Sequence, residues 1–242
     1  MFFWWVYNQI EFSVKTENLG KKRKSYNWGR RQQYRLNLKA KKSYQVAKYL
    51  LLHQVTSQTE VSQSTNVAIG YVNEVLHYLS DLDIVKIEYG KTRLQNYAKL
   101  LEKISMDRPM KKLVQKTIKL PTSTIKETEN TLHHYCIRNQ IQYAFTGYSA
   151  LRHLYEYHIN YPTVQIYTNN LTTLLNIEQG EGVVPIVILK PDRLDIMKNK
   201  TIIHDIHICD KIQVIIDLYS SGVGRDAAIK YYRATIWKQE TY

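Results

Sequence analysis

The stretch from Ser57 to Leu79 constrains the fold most, because it carries the signals of two short helices joined by a tight turn. Ser57 and Glu60 stand three residues apart, the spacing of a capping box, in which two side chains satisfy two free backbone N–H groups at a helix start. Asn66 follows where the chain must turn, and asparagine tolerates a left-handed backbone better than most residues. These signals predict a helix-turn-helix.

The second helix of this unit has two distinct faces. Its apolar positions recur at helical spacing and predict one buried stripe, formed by Ala68, Val72, Val75, Leu76 and Leu79. Ile69, Asn73 and His77 are four residues apart on the opposite face, which in a helix-turn-helix enters the major groove of DNA. We therefore expect this helix to contact DNA through Ile69, Tyr71, Asn73, Glu74 and His77.

The flanking segments extend the prediction to a winged helix. Upstream, residues 43–53 form a helical pattern with one apolar face. Downstream, residues 84–87 and 93–95 read as two short strands around the turn Tyr89-Gly90-Lys91. We expect the hairpin cations to hold the DNA backbone or minor groove, namely Lys86, Lys91 and Arg93. The alternative is a plain three-helix domain that binds protein.

Positive charge is concentrated at the N-terminal end of the chain. The net charge is +13, and +9 of it lies in the first 42 residues, where eleven Lys and Arg residues face two Glu residues. Such a cluster attracts polyanions. Beside a winged helix, the pattern favours phosphate contacts over a merely solvated tail, and we assign these contacts to Lys21, Lys22, Arg23, Lys24, Lys41 and Lys42.

Length and composition limit the class of protein. The 242 residues suit two small domains, and no apolar run approaches the length of a membrane span. Cys136 and Cys209 form no metal or redox motif, and such isolated thiols fit a reducing, cytoplasmic setting. The opening apolar residues are too short for a signal peptide and lack a basic start.

The second half of the chain alternates between strand and helix patterns. The segment Asp107-Arg108-Pro109 ends a helix over residues 97–105, and we place a domain boundary there. Helices are predicted over residues 124–139, 149–158, 171–177, 210–218 and 225–238, and strands over residues 142–146, 163–167, 183–189 and 201–208. Pro185 should keep its strand near an edge or a bulge, and Asp210 should be the acidic cap of the helix that it begins. The prediction is an α+β chain with a basic segment (1–40), a winged helix (41–109) and an α/β domain (110–242) for dimerisation or partner binding.

A possible phosphate-binding element begins at Gly147, after a predicted strand and before a predicted helix. Residues 147–151 look like the Gly-Gly-Thr/Ser-Ala-Leu element of nucleotidyltransferases, which need carboxylates on the following strand to hold two metal ions. No Asp or Glu lies between Glu156 and Glu178. We therefore expect a degenerate, catalytically silent domain without metal or cofactor, and structural roles for the histidines.

This layout resembles the AbiEi-type antitoxins of type IV toxin–antitoxin systems. The resemblance rests on the winged helix, the Asp107-Arg108-Pro109 segment, the sequence Phe145 to Leu151 and the strand Val187 to Pro191. It implies a repressor of its own operon that also counteracts a nucleotidyltransferase-like toxin. The basic segment before Lys41 and the acidic Glu74 depart from that pattern.

Three functions follow from these observations. The first is a DNA-binding transcriptional regulator, and the second is an antitoxin that acts mainly through protein contacts of its α/β domain. The third is a divergent nucleotidyltransferase. Salt-dependent affinity for duplex DNA separates the first from the other two.

Overall fold

A computed structural model describes residues 36–156 and 162–237 of the chain. These residues belong to one compact unit, to which both predicted domains contribute. The boundary near Pro109 remains a prediction. The basic cluster at residues 21–24 lies outside the described residues.

Four helices and a small sheet form the first part of this unit. The helices are α1 (Lys41–Leu52), α2 (Gln58–Thr65), α3 (Ile69–Asp81) and α4 (Tyr97–Asp107), and the strands are β1 (Val55–Thr56), β2 (Val85–Glu88) and β3 (Lys91–Leu94). The strands pair antiparallel in the order β1-β3-β2. The predicted helices and hairpin of this region are thus confirmed as individual elements.

The apolar stripe of α3 is confirmed at four of its five positions. Val72, Val75, Leu76 and Leu79 are buried. Ala68 is exposed because it is the residue that precedes the first turn of α3, and the buried side chain at this point is Val67.

A six-stranded sheet and six helices form the second part. A short 3-10 turn (Met110–Lys112) leads into β4 (Val114–Lys119), α5 (Ile125–Arg138), β5 (Tyr143–Phe145), α6 (Gly147–Leu154), β6 (Val164–Thr168), α7 (Leu171–Leu174), β7 (Pro185–Leu189), α8 (Leu194–Lys198), β8 (Thr201–Ile203), β9 (Ile206–Ile208), α9 (Lys211–Ser220) and α10 (Arg225–Thr235). The strand order is β4-β7-β6-β5-β9-β8, with both parallel and antiparallel neighbours. The described chain is therefore α+β around a mixed sheet.

Of two strand predictions, one is confirmed and one is corrected. Pro185 was expected to keep its strand near an edge or a bulge, and β7 lies next to the terminal strand β4, with a bulge in their pairing between Val114 and Lys116. Proline is accommodated because it is the first residue of β7. Residues 201–208 form two antiparallel strands instead of one, because His204 and Asp205 both have positive φ and make a tight turn.

The start of α6 also differs from the prediction. The helix begins at Gly147, and its cap residue is Thr146, so Ser149 lies inside the helix. The Ser149 hydroxyl accepts a hydrogen bond from the backbone N–H of Gln165 (2.9 Å) and thereby ties α6 to β6. The predicted end of this helix at His158 lies outside the described residues.

Helix α9 occupies the centre of the unit. Every residue from Ile212 to Tyr219 is buried, and the helix packs against α1, α4, α6 and α10. Helix α9 therefore joins α1 and α4 of the first part to α6 and α10 of the second. Among the described residues, no helix has the length and apolar character needed to cross a bilayer.

Candidate nucleic-acid interface

The turn between α2 and α3 is built from local hydrogen bonds. The Ser57 hydroxyl accepts from the Glu60 N–H (3.1 Å), and the Glu60 carboxylate accepts from the Ser57 N–H (2.7 Å), which completes the predicted capping box. The bond that the carboxylate accepts from the Ser57 N–H is the main cause of the lowered pKa of Glu60. Asn66 adopts the left-handed conformation (φ 52°, ψ 41°), as predicted, and ends α2. The sequence therefore fixes where α3 begins.

The solvent-facing side of α3 carries the predicted base-reading residues. Ile69 is 50% exposed, His77 and Glu74 are exposed, and Asn73 is half-buried. Tyr71 is half-buried and packs against the apolar core, so its ring is less accessible than the others.

Gln58 contacts Asn73 on α3, and the sequence analysis did not identify it. Its side-chain amide donates a hydrogen bond to Asn73 Oδ1 (3.1 Å), so the first turn of α2 orients the central polar residue of α3. The only signal in the sequence was its position directly after the Ser57 cap.

The hairpin presents cations and one aromatic ring. Lys86 and Lys91 both lie near the Glu88 carboxylate, at 3.2 and 3.5 Å. The hydrogen bond from Lys86, together with the charges of both lysines, lowers the pKa of the Glu88 carboxyl. Both lysines remain about half exposed, so they can exchange Glu88 for a phosphate. Tyr89, at the tip beside the positive-φ Gly90, is fully exposed, and it was not predicted as a contact.

A concave groove separates the hairpin from the helices. It has a volume of ≈ 280 Å³ and is lined by Ser57, Gln58, Thr59, Ile69, Ile87, Glu88, Gly90, Lys91 and Thr92. Thus Ile69 on α3 and Lys91 on the hairpin face the same space. Arg93 lies on β3 opposite Lys86 and Val55.

The predicted phosphate contacts near residue 40 lie at a different place. Lys41 and Lys42 are exposed in the first turn of α1. That end of the helix lies beside the segment around Arg193, whose guanidinium donates to the Lys39 carbonyl. Within residues 36–156 and 162–237, no hydrogen bond or ion pair joins these two lysines to α3 or to the hairpin.

A second polar cluster, which we call the Arg108 cluster, is buried between the two parts of the chain. The Arg108 side chain is fully buried and forms ion pairs with Asp192 (2.9 Å) and Asp217 (2.9 Å). It also donates to the Tyr167 hydroxyl (3.0 Å). Burial disfavours the charge, but Tyr167 and Asp217 raise the pKa of Arg108 above its usual value.

The Arg108 cluster extends to α1 and α9. The Tyr44 hydroxyl donates to Gln213 Oε1 (2.9 Å), and Gln213 donates to Asp217 Oδ1 (2.9 Å). Arg193 lies over the Tyr44 ring at 3.6 Å from the centroid. Sequence analysis had assigned Arg108 only to the end of a helix, although its cluster joins α1, the C-terminal end of α4, β6 and α9.

The predicted phosphate-binding element at Gly147 is covered by the side chain of Gln165. Gly147 has φ +55°, and a Cβ there would lie 1.6 Å from Gln165 Oε1. The same oxygen accepts from the Tyr148 N–H (3.2 Å), so Gln165 covers the start of α6. This arrangement favours the packing role over phosphate binding for Gly147.

The histidines make contacts with neighbouring side chains. His133 Nδ1 shares a hydrogen bond with the Tyr143 hydroxyl (2.6 Å), and His207 stacks on the Tyr143 ring. Burial lowers the pKa of both imidazoles. Within residues 36–156 and 162–237, no group of three or more His, Cys, Asp or Glu side chains is arranged to hold a metal ion.

Comparisons of this chain with protein-family models, with curated proteins and with solved structures found no match.

Proposed function

We propose that this protein is a transcriptional regulator that binds duplex DNA through α3 and the β2–β3 hairpin. The observation that carries the proposal is the groove in which Ile69 and Lys91 face one another, with Asn73 and His77 continuing along the same side of α3. Groove-binding helices use such a surface, in which an exposed helix face reads bases and neighbouring cations contact phosphates.

The chain order of the elements supports this assignment. Helix α1, strand β1, helices α2 and α3 and the β2–β3 hairpin follow one another in the connectivity of a winged helix. The left-handed Asn66 ends α2 and makes the kind of tight turn that a helix-turn-helix requires. On this interpretation Tyr89 and Lys91 lie at the tip of the wing.

The exposed side of α3 also indicates which bases it reads. Ile69, Asn73 and His77 include no arginine or lysine, so the bidentate contact to guanine is absent from this face. Asparagine pairs with adenine N6 and N7, and an apolar side chain contacts the thymine methyl group. We therefore propose an A·T-rich half-site.

The first test is a fluorescence-anisotropy titration of duplex DNA at several salt concentrations. Each phosphate contact contributes a log–log slope of about −0.9, so several contacts should give a slope of about −4 or steeper. A salt-independent affinity, or no binding at low salt, would contradict the proposal.

The second test separates base reading from phosphate contact. Once a site has been selected from random DNA, Asn73→Ala should cost about 1–3 kcal/mol at one base pair and relax the preference there. Lys91→Ala should weaken binding to all sequences alike. A selected G·C-rich site, or an unchanged base preference in Asn73→Ala, would show that α3 does not read the DNA as proposed.

The control is Gln58→Ala, which removes the hydrogen bond to Asn73 and leaves the Asn73 side chain in place. It should lower the base preference less than Asn73→Ala does. Repression of the protein's own operon, and neutralisation of a nucleotidyltransferase-like toxin, remain proposals that rest on the resemblance to AbiEi-type antitoxins.

A further inference from the structure

Strand β4 is one of the two terminal strands of the six-stranded sheet, and β7 is the strand that pairs with it. Five of its six residues are exposed, and the exception is Ile118. Val114 is 40% exposed although it is apolar. An edge strand of this kind has backbone N–H and C=O groups directed away from the sheet, and these can pair with another extended chain.

Five exposed lysines surround this edge, at Lys111, Lys112, Lys116, Lys119 and Lys190. None of them forms an ion pair with a carboxylate in residues 36–156 or 162–237. The lysines of the hairpin differ, because Lys86 and Lys91 share Glu88. The β4 edge therefore combines open backbone groups with uncompensated positive charge.

The charge argues against pairing with a second copy of the chain. Two β4 edges placed together would bring Lys116 and Lys119 of each copy near lysines of the other, and like charges across paired strands are destabilising. Lysine on an edge strand is a common protection against self-association. The same lysines attract a strand that carries negative charge.

We propose that the β4 edge binds an extended, acidic segment of a partner protein, which adds to the sheet as a seventh strand. In this mode the main-chain hydrogen bonds supply affinity, and the side chains supply specificity. A phosphodiester chain lacks N–H donors for the strand's carbonyl groups, so the edge favours a peptide over a nucleic acid. This interaction is separate from the DNA contacts proposed for α3.

The test uses the full chain and a synthetic peptide of alternating Glu and Val residues, with a peptide of alternating Lys and Val as the control. The acidic peptide should bind, and hydrogen–deuterium exchange should slow at the amides of residues 114–119. Lys116→Glu with Lys119→Glu should weaken binding about tenfold or more, because two attractions become repulsions. The matched control changes two exposed lysines elsewhere, Lys126→Glu with Lys198→Glu, and should leave the affinity unchanged.

Several outcomes would overturn the proposal. One is failure of the acidic peptide to bind, and another is binding without added protection at residues 114–119. Equal weakening by both lysine pairs would show that only net charge matters. Protection of the same amides by duplex DNA would assign the edge to nucleic acid, and protection that rises with protein concentration alone would assign it to a second copy. The DNA affinity of the Lys116/Lys119 variant reports separately on the function proposed for α3.

Discussion

Replacement of Arg108 by methionine tests whether the Arg108 cluster holds the two parts of the chain together. The substitution removes the guanidinium from its ion pairs with Asp192 and Asp217 and from its hydrogen bond to Tyr167. Asp217 is fully buried, so the variant leaves a carboxylate without its ion-pair partner inside the fold. Breaking a buried pair in this way costs about 3–5 kcal/mol.

That cost is a large fraction of the stability of an ordinary domain, which is about 5–15 kcal/mol. The measurement is the free energy of unfolding from urea titrations followed by circular dichroism at neutral pH. Arg108→Lys keeps the charge but loses the planar guanidinium group that contacts both carboxylates. Its free energy of unfolding should therefore lie between those of the wild type and Arg108→Met. Asp192→Asn should cost less than Arg108→Met, because the Asp192 side chain is 16% exposed whereas that of Arg108 is fully buried.

The double variant Arg108→Met with Asp217→Asn gives the sharpest test. If the loss in Arg108→Met comes from the uncompensated Asp217 charge, removal of that charge should recover part of the stability. The double variant should therefore lose less than the sum of the two single losses, by about 0.5–3 kcal/mol. Additive losses, or a cost for Arg108→Met below about 1 kcal/mol, would refute this account of the cluster.

Three further predictions concern local features. Gly147→Ala should destabilise the fold by about 1–3 kcal/mol in the same urea assay, because φ is +55° and the new Cβ overlaps Gln165, and Gln165→Ala in the same chain should recover the steric part of the loss. Ser57→Ala should lower the free energy of unfolding by about 0.5–2 kcal/mol through loss of the cap on α2. The control is Ser123→Ala, which changes an exposed serine whose side chain caps no helix, and an equal loss in that variant would contradict the capping role of Ser57. The pKa values of His133 and His207 are lowered in the fold, so the unfolded chain takes up protons first as the pH falls. The free energy of unfolding should therefore decrease as the pH drops below about 6.5. The double variant His133→Asn with His207→Gln should reduce this acid sensitivity, and an unchanged pH profile would exclude these residues as its source.

Sequence signals correctly predicted the helix caps and the turn that are determined by residues close together in the chain. The capping box at Ser57, the left-handed Asn66 and the Asp210 cap of α9 are confirmed, since each is decided by residues within four positions along the chain. The turn at His204 was missed because one strand was assumed across residues 201–208. A positive φ at two successive non-glycine residues has only a weak sequence signal.

Long-range order was harder to predict. Pro185 suggested a strand near an edge or a bulge, but it did not indicate that β4 and β6 are the strands that pair on either side of β7. The candidate DNA interface shows the same limit. Ile69 and His77 followed from helical spacing, whereas the bond from Gln58 to Asn73 depends on how α2 packs on α3.

In the Arg108 cluster, the sequence indicates that polar side chains are buried on one helix, but it does not indicate which residues they contact. Gln213 and Asp217 stand four residues apart in the buried stretch from Ile212 to Leu218, which is otherwise apolar, and buried polar groups must find hydrogen-bonding partners. That spacing indicates a polar contact on one face of α9. The partner of Asp217 is 109 residues away along the chain, and sequence spacing carries no information on such a distance. Since Tyr44 lies on α1, Asp217 on α9 and Arg108 directly after α4, only the packing of these three helices identifies the site.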